Sequence, residues 1–364
     1  MKLATNSKHV KVLQIGAGLI GKHLWALVAS MPGVSHLRFL DRDTYSPGQG
    51  WHPSHAGQPK AQVLAEATRA NYPGLEVDYI VGDLEALSLG QLRCDVLLTA
   101  LDSRRARIAA NYAFGKLALP LWIDAGVSAP SLVRVSVFGQ GAGAPCYECP
   151  LGPKDYAADQ SYPCRPASIP PPTNSPGYLG ALAASLQAAE LDNLLSSPPD
   201  QAFVNRELIY DTASHKLFET RLERRETCRF DHQPLKIRQL PIGPERLTIA
   251  AALALGPGRS KAQLRPGATL EVPGRTFVRE LACQCGERRR VLRLKGRFRR
   301  AQQVCGECGQ LLAPLGTGLA SALAAEALTP SELARPLSSL GLEPREVIAI
   351  GHNGRFSCFE LGIE

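Results

Sequence analysis

The sequence predicts an α/β fold: a Rossmann-like, mostly parallel sheet with helices on both faces, followed by a C-terminal zinc-ribbon module. Three observations predict it. Short apolar runs alternate with helix-compatible segments, as strands and crossover helices do in a parallel sheet. The first run is followed at once by a Gly-rich turn, Gly16-Ala-Gly18-Leu-Ile-Gly21. Further on, most cysteines come in close pairs, Cys146/Cys149, Cys283/Cys285 and Cys305/Cys308.

Val10–Ile15 is the first strand, and Leu19–Ser30 the helix behind its glycines. Leu37–Leu40 is a second strand ending at Asp41, Ala61–Asn71 a helix, and Val77–Val81 a strand. The continuous apolar run Cys94–Leu101 reads as a buried strand, Ile108–Leu117 as helix and Leu121–Asp124 as another strand. Leu132–Phe138 alternates with period two, the mark of a half-buried antiparallel strand. A Pro-rich stretch, Pro163–Pro176, is an irregular exposed loop ahead of the Ala/Leu-rich helix Tyr178–Leu195. Leu208–Tyr210 and Leu217–Leu222 form a hairpin, Leu319–Leu340 contains a short helical piece, and Glu346–Glu360 is a final strand pair. The composition shift past Pro241 divides the chain into residues 1–240, 241–315 (the zinc ribbon) and 316–364.

The chain has 364 residues, 45% hydrophobic and 20% charged, a globular composition. No stretch approaches the roughly 20 apolar residues of a membrane span, and the polar N-terminus lacks a signal-peptide core. A cytoplasmic protein that makes no membrane contact is expected. Ten cysteines without a secretion signal point to metal ligation rather than disulfides. The net charge of +8 is concentrated in Arg288–Arg300. Such a run is either a solvated strand face or a surface for an acidic partner or nucleic acid.

Gly16, Gly18 and Gly21 have the spacing of a loop that brings phosphates to a helix N-terminus. Asp41 lies where an acidic side chain accepts from a ribose hydroxyl. Asp102 closes the strand Cys94–Leu101 and is either a Mg²⁺ ligand or the N-cap of the next helix. Lys60 either neutralises phosphate or is a solvated helix lysine. Cys146-x2-Cys149 is half of a tetrahedral Zn²⁺ site, and Cys283, Cys285, Cys305 and Cys308 make a ribbon-like Cys₄ site.

Taken in order, these motifs resemble the ThiF/MoeB family of adenylyltransferases, which shares its fold with ubiquitin-activating enzymes. Asp41-Arg-Asp43 is similar to the family's D-x-D and Gly57–Lys60 to its GQPK. Asp102-Ser-x3-Arg107-x3-Asn111 is similar to DN…R…N, and Pro145–Cys149 to PCYxC. The resemblance covers about residues 10–232. It implies that Asp41 binds the ribose of ATP, Lys60 contacts phosphate and Asp102 handles Mg²⁺, with Asp43 and Gln49 also in the nucleotide site. Gln49 and His52 stand where the family has Asn and Arg, and about five residues are missing before Lys60. The N-terminal arginine that the family lends to a partner's site is absent. A phosphate-clamping arginine must come from Arg104, Arg105, Arg107 or a second subunit; Arg107 is the catalytic candidate.

The resemblance also implies the partners of the first cysteine pair. Cys228 and His232 stand where the family completes its knuckle, giving two Zn²⁺ per chain; the rival is Cys305/Cys308 completing that site. Family members that pass a carrier to a thiol keep that cysteine in the loop ahead of the long helix, where Cys164 lies beside Arg165. Its alternative is a loop thiol without a role.

The implied function is ATP-dependent adenylation of the C-terminal carboxylate of a ubiquitin-like carrier. The carrier then passes to Cys164 as a thioester and on to a conjugating enzyme. The added ribbon and C-terminal segment resemble activating enzymes of bacterial ubiquitin-like conjugation operons. A homodimer is expected, and nucleic acid is not the expected partner. Two alternatives remain: a sulfur-carrier adenylyltransferase of thiamine or molybdopterin type, and a non-catalytic nucleotide-binding zinc scaffold that contacts nucleic acid. A dehydrogenase would leave Lys60, Asp102 and the knuckle without a purpose.

Overall fold

A computed structural model describes residues 9–128, 130–160, 175–196, 203–255, 266–298 and 300–363. The chain divides into two compact units, residues 1–87 with 93–234, and 88–92 with 235–364.

The first unit is a mixed α/β structure built on an eight-stranded sheet. Its strands are β1 (Val10–Ile15), β2 (Val34–Asp41), β3 (Glu76–Val81), β4 (Val96–Thr99), β5 (Leu121–Ser128), β6 (Leu132–Gly139), β7 (Arg206–Asp211) and β8 (Lys216–Arg221). They lie in the order β3-β2-β1-β4-β5-β6-β7-β8. The half from β3 to β5 is parallel, and β6, β7 and β8 add antiparallel.

The helices are α1 (Gly21–Ala29), α2 (Lys60–Asn71), α3 (Arg104–Lys116), α4 (Pro153–Gln160) and α5 (Gly177–Ser196). α1, α2 and α5 cover one face, where Leu24, Leu64, Ala183 and Leu191 share a core with Val12, Leu98, Ile123 and Val135. Strand residues alternate between faces, so Trp122 looks the other way. There it meets Phe114 of α3 at 5.7 Å and stacks on Phe138 at 4.7 Å. β6, expected to be half-buried, is therefore buried on both sides. The helix α4 was not anticipated, because PKDYAADQ carries no apolar stripe.

Among its described residues the second unit holds two sheets and two short helices, the first being α6 (Ile249–Leu253). One has the order β15-β10-β16-β17-β9, from β9 (Ile237–Gln239), β10 (Thr269–Glu271), β15 (Ala322–Ala324), β16 (Val347–His352) and β17 (Arg355–Glu360). The other joins β11 (Phe277–Ala282) to β12 (Arg288–Leu294), β13 (Ala313–Pro314) and β14 (Leu319–Ala320). β10 pairs with both β15 and β16, so segments expected to be separate modules at residues 241–315 and 316–364 share one sheet. Where a short helical piece was expected over roughly Leu319–Leu340, the chain forms strands, 3₁₀ turns and the four-residue α7 (Pro330–Leu333). The reason is local: the capping box of Thr329 and Glu332 starts a helix only at Pro330.

Candidate functional site

The carboxyl edge of the parallel half-sheet gathers the nucleotide-motif residues. Gly16 has φ +99°, and a Cβ there would lie 2.4 Å from the carbonyl oxygen of Ala100. A Cβ on Gly21 would lie 1.9 Å from that of Gly16, whereas Gly18 faces open space. Two glycines thus permit the turn, and the third leaves the backbone open to a ligand. No side chain caps α1, and the N–H groups of Lys22 and His23 in its first turn donate to the carbonyls of Gly18 and Ile20 at 3.1 and 2.9 Å.

Gln14 fixes this loop from inside the sheet, its Nε2 donating to the carbonyls of Gly16 at 3.2 Å and Gly21 at 3.0 Å. Sequence reasoning missed it. The signal was a lone amide inside the apolar run Val12–Ile15.

Asp41 ends β2 and accepts from the N–H of Ala17 at 2.7 Å and of Asp43 at 2.8 Å. Burial pushes its carboxyl above the usual range. Lys60 opens α2, with Nζ 3.5 Å from Asp43 and 5.9 Å from the ring of Tyr45. Tyr45 in turn donates to the carbonyl of Ala17 at 3.1 Å, tying the α2 approach to the glycine loop.

Asp102 lies exposed beyond β4, and Ser103, not Asp102, caps α3 by accepting from the N–H of Ala106. The carboxylate is thus not spent on the helix.

The arginines proposed for a phosphate clamp all have acidic partners. Arg107 donates to Asp124 at 2.8 Å and to the carbonyl of Ala125 at 3.3 Å. Arg104 pairs with Asp155 at 3.2 Å, and Arg105 with Glu85. Gln49 and His52 turn back onto their own loop: Gln49 accepts from the N–H of Ser46, and His52 from that of Ser54. Cys164 lies outside the described residues.

Two clusters have metal-ligand chemistry. In the first, the ligand atoms of Cys146, Cys149, Cys228 and His232 all lie within 4.8 Å of one another. Cys146 Sγ is 3.8 Å from both Cys149 and Cys228, and His232 Nε2 is 3.6 Å from Cys146 and 3.5 Å from Cys149. A tetrahedral Zn²⁺ bound at roughly 2.3 Å to sulfur and 2.0–2.1 Å to nitrogen requires about 3.8 Å between sulfurs and about 3.5 Å from sulfur to nitrogen. The donor set fits.

Asn111 pins this knuckle to α3, donating to Glu148 at 3.0 Å and accepting from the N–H of Tyr147 at 3.1 Å. Lys116 holds Asp231, next to His232, at 2.6 Å.

The second cluster joins Cys283, Cys285, Cys305 and Cys308. Cys283 and Cys308 are 3.3 Å apart, and Cys285 and Cys305 3.5 Å. Four thiols whose sulfurs all lie within 4.8 Å of one another have the donor chemistry of a thiophilic ion, with these two pairs closer than a bound tetrahedral Zn²⁺ would hold them. Cys305 and Cys308 therefore do not complete the first site.

Four arginines of the basic run are answered within the chain. Arg288 pairs with Glu280, Arg289 with Glu287, Arg290 with Glu332 and Arg297 with Glu343. Among the described residues no helix is long and apolar enough to cross a membrane.

The ThiF family model matches residues 3–230. No curated protein matches the sequence. Among solved structures, E. coli MccB with ATP is 19% identical, covering 62% of this chain and 68% of that chain with a TM-score of 0.48. The microcin C7 biosynthetic enzyme MccB in complex with N-formylated MccA is 17% identical, over 62% and 69% of the two chains, with a TM-score of 0.48. PaaA is 14% identical over 58% and 73%, with a TM-score of 0.47.

Proposed function

The chain belongs to the ThiF family, and from that premise we propose that it uses ATP to activate the C-terminal carboxylate of a ubiquitin-like protein. A carboxylate oxygen attacks the α-phosphorus of ATP, the bond to the bridging oxygen breaks, and pyrophosphate leaves. The thiolate of Cys164 then attacks the acyl carbonyl, AMP departs with the electron pair, and a thioester remains for transfer to a conjugating enzyme.

One observation carries the adenylation step. The glycine loop after β1, Asp41 at the end of β2, Lys60 at the start of α2 and Asp102 beyond β4 all come from the carboxyl edge of one parallel half-sheet. Ligands bind at that edge in such folds. On this reading Asp41 accepts from ribose, the open backbone at Gly18 receives phosphates, and Lys60 offsets their charge. Asp102 would hold Mg²⁺, which when bound neutralises phosphate oxygens as pyrophosphate leaves. Catalysis here is positioning plus charge neutralisation. The two clusters are assigned to structural Zn²⁺.

Arg288, Arg289, Arg290 and Arg297 each pair with a carboxylate of this chain, which lowers the charge open to a nucleic-acid scaffold. The test is carrier-dependent exchange of pyrophosphate into ATP, with a ubiquitin-like protein supplied as the carrier. Asp102→Ala should abolish exchange with the fold intact. Exchange that survives this substitution, or wild-type binding of NAD but not ATP, contradicts the reading.

A further inference from the structure

We propose that Arg134, set beside Arg107 by the buried carboxylate of Asp124, is the docking point for the free carboxyl terminus of the acyl substrate; this rests on the adenylation reading above. Asp124 on β5 is paired in register with Thr99, the last residue of β4, three positions before Asp102. It is fully buried, and it accepts from Thr99 Oγ1 at 2.5 Å, Arg107 at 2.8 Å and Arg134 at 3.3 Å. Arg134 lies opposite Gly126 across the β5–β6 ladder. A Cβ on Gly126 would come 3.0 Å from Arg107 and 3.7 Å from Arg134, so both guanidiniums lie over a position without a side chain.

The three charges form a gradient towards solvent. The Asp124 side chain is 0% exposed, that of Arg107 11% and that of Arg134 32%. On its far side Arg134 meets Glu207 at 3.4 Å, and Ser136 holds that carboxylate at 2.7 Å. A guanidinium has more N–H donors than these two contacts use, and its fork matches a carboxylate.

One arginine is enough to compensate a buried aspartate. The second also offsets Glu207, and what needs a reason is that it turns donors beyond these two contacts towards solvent. Acyl adenylation supplies one, because it brings a carboxylate against a polyphosphate and two anions must meet. A fixed guanidinium offsets that repulsion and orients the incoming oxygen. Asp124 sits in register with, and accepts from, Thr99 at the end of β4, three residues before Asp102, which places the pair beside the proposed reaction centre. Arg134 is thus a specificity-determining residue for a substrate ending in a free α-carboxylate.

The test uses the full chain with Mg²⁺ and a non-hydrolysable ATP analogue. It compares retention of a random octapeptide library bearing free carboxyl termini with that of the same library amidated. Wild type should prefer the free acids by roughly 10- to 100-fold, the range of a charge-assisted contact. Arg134→Gln should erase the preference while analogue affinity and the melting temperature stay near wild type. If Arg134→Gln melts early, Arg134→Lys is decisive, since it keeps the charge, loses the fork and should still lower the preference. An undiminished preference in a folded Arg134 variant overturns the proposal, as does a wild type that binds the analogue without preferring free acids. Failure of wild type to bind the analogue overturns the adenylation reading and this proposal together.

Discussion

Asn111 and Glu148 are bonded at 3.0 Å in a buried contact that joins the helix following Asp102 to the Cys146–Cys149 knuckle. The same amide accepts from Tyr147, so one side chain fixes both the turn and its carboxylate. Tyr156 completes the set by donating to Glu148 at 2.9 Å, which brings α4 to the knuckle. The metal cluster is therefore tied by hydrogen bonds to the helix that begins just after Asp102.

Asn111→Ala should cost about 1–3 kcal/mol, the penalty for leaving buried polar groups unpaired. Chemical denaturation checks the value, and a loss below about 0.5 kcal/mol would mean that water replaces the amide.

Metal analysis of the purified chain should return two Zn²⁺. Cys146→Ser should lower the stability of the first unit, because it removes a ligand next to the core of α3 and the knuckle. Cys305→Ser should unfold only its own sheet, since Cys305 is buried with Val278, Leu281 and Leu312 of the second unit. Hydrogen exchange by unit distinguishes the two outcomes. Loss of protection in the first unit on Cys305→Ser contradicts the assignment.

The ion pair of Glu332 with Arg290 gives a pH signature. Hydrogen bonding from Arg290 holds the Glu332 carboxyl down to about 2. A depressed folded pKa means stability that is present above the unfolded value of about 4.3 and lost as pH falls towards 2. Arg290 is well exposed and screened, so the contribution is modest. Glu332→Gln should cost about 1 kcal/mol at pH 7, with the capping box included, and the difference should shrink below about pH 4. A pH-independent difference would assign the whole effect to the cap.

The parallel half-sheet was legible because its strands are written locally. Apolar runs end at Gly16, Asp41 and Asp102, and each end marks the edge where ligands gather. The knuckle partners Cys228 and His232 were legible only through family resemblance, since nothing local ties them to Cys146. What escaped was non-local. Arg107 reads as a free catalytic arginine until β5 brings Asp124 beneath it. Arg288–Arg300 reads as a docking strip until Glu332 and Glu343 arrive from later in the chain. The β10 pairing with β15 and β16 was hidden because three-residue strands carry no periodicity.

The thioester step is the most exposed part of the reading. With enzyme, carrier and ATP mixed, a reducible enzyme–carrier adduct should form, and Cys164→Ala should remove it. Pyrophosphate exchange should survive, because adenylation depends on Asp102, Lys60 and the glycine loop rather than on the thiol. Cys228 is the natural rival nucleophile, but its sulfur lies 3.8 Å from Cys146 within the metal cluster. Cys228→Ser should therefore release metal, whereas Cys164→Ala should retain it. An adduct that persists in Cys164→Ala and disappears in Cys228→Ser would move the acceptor role to Cys228 and dissolve the first metal site. Loss of the adduct and of exchange together in Cys164→Ala would instead place that residue in the adenylation chemistry.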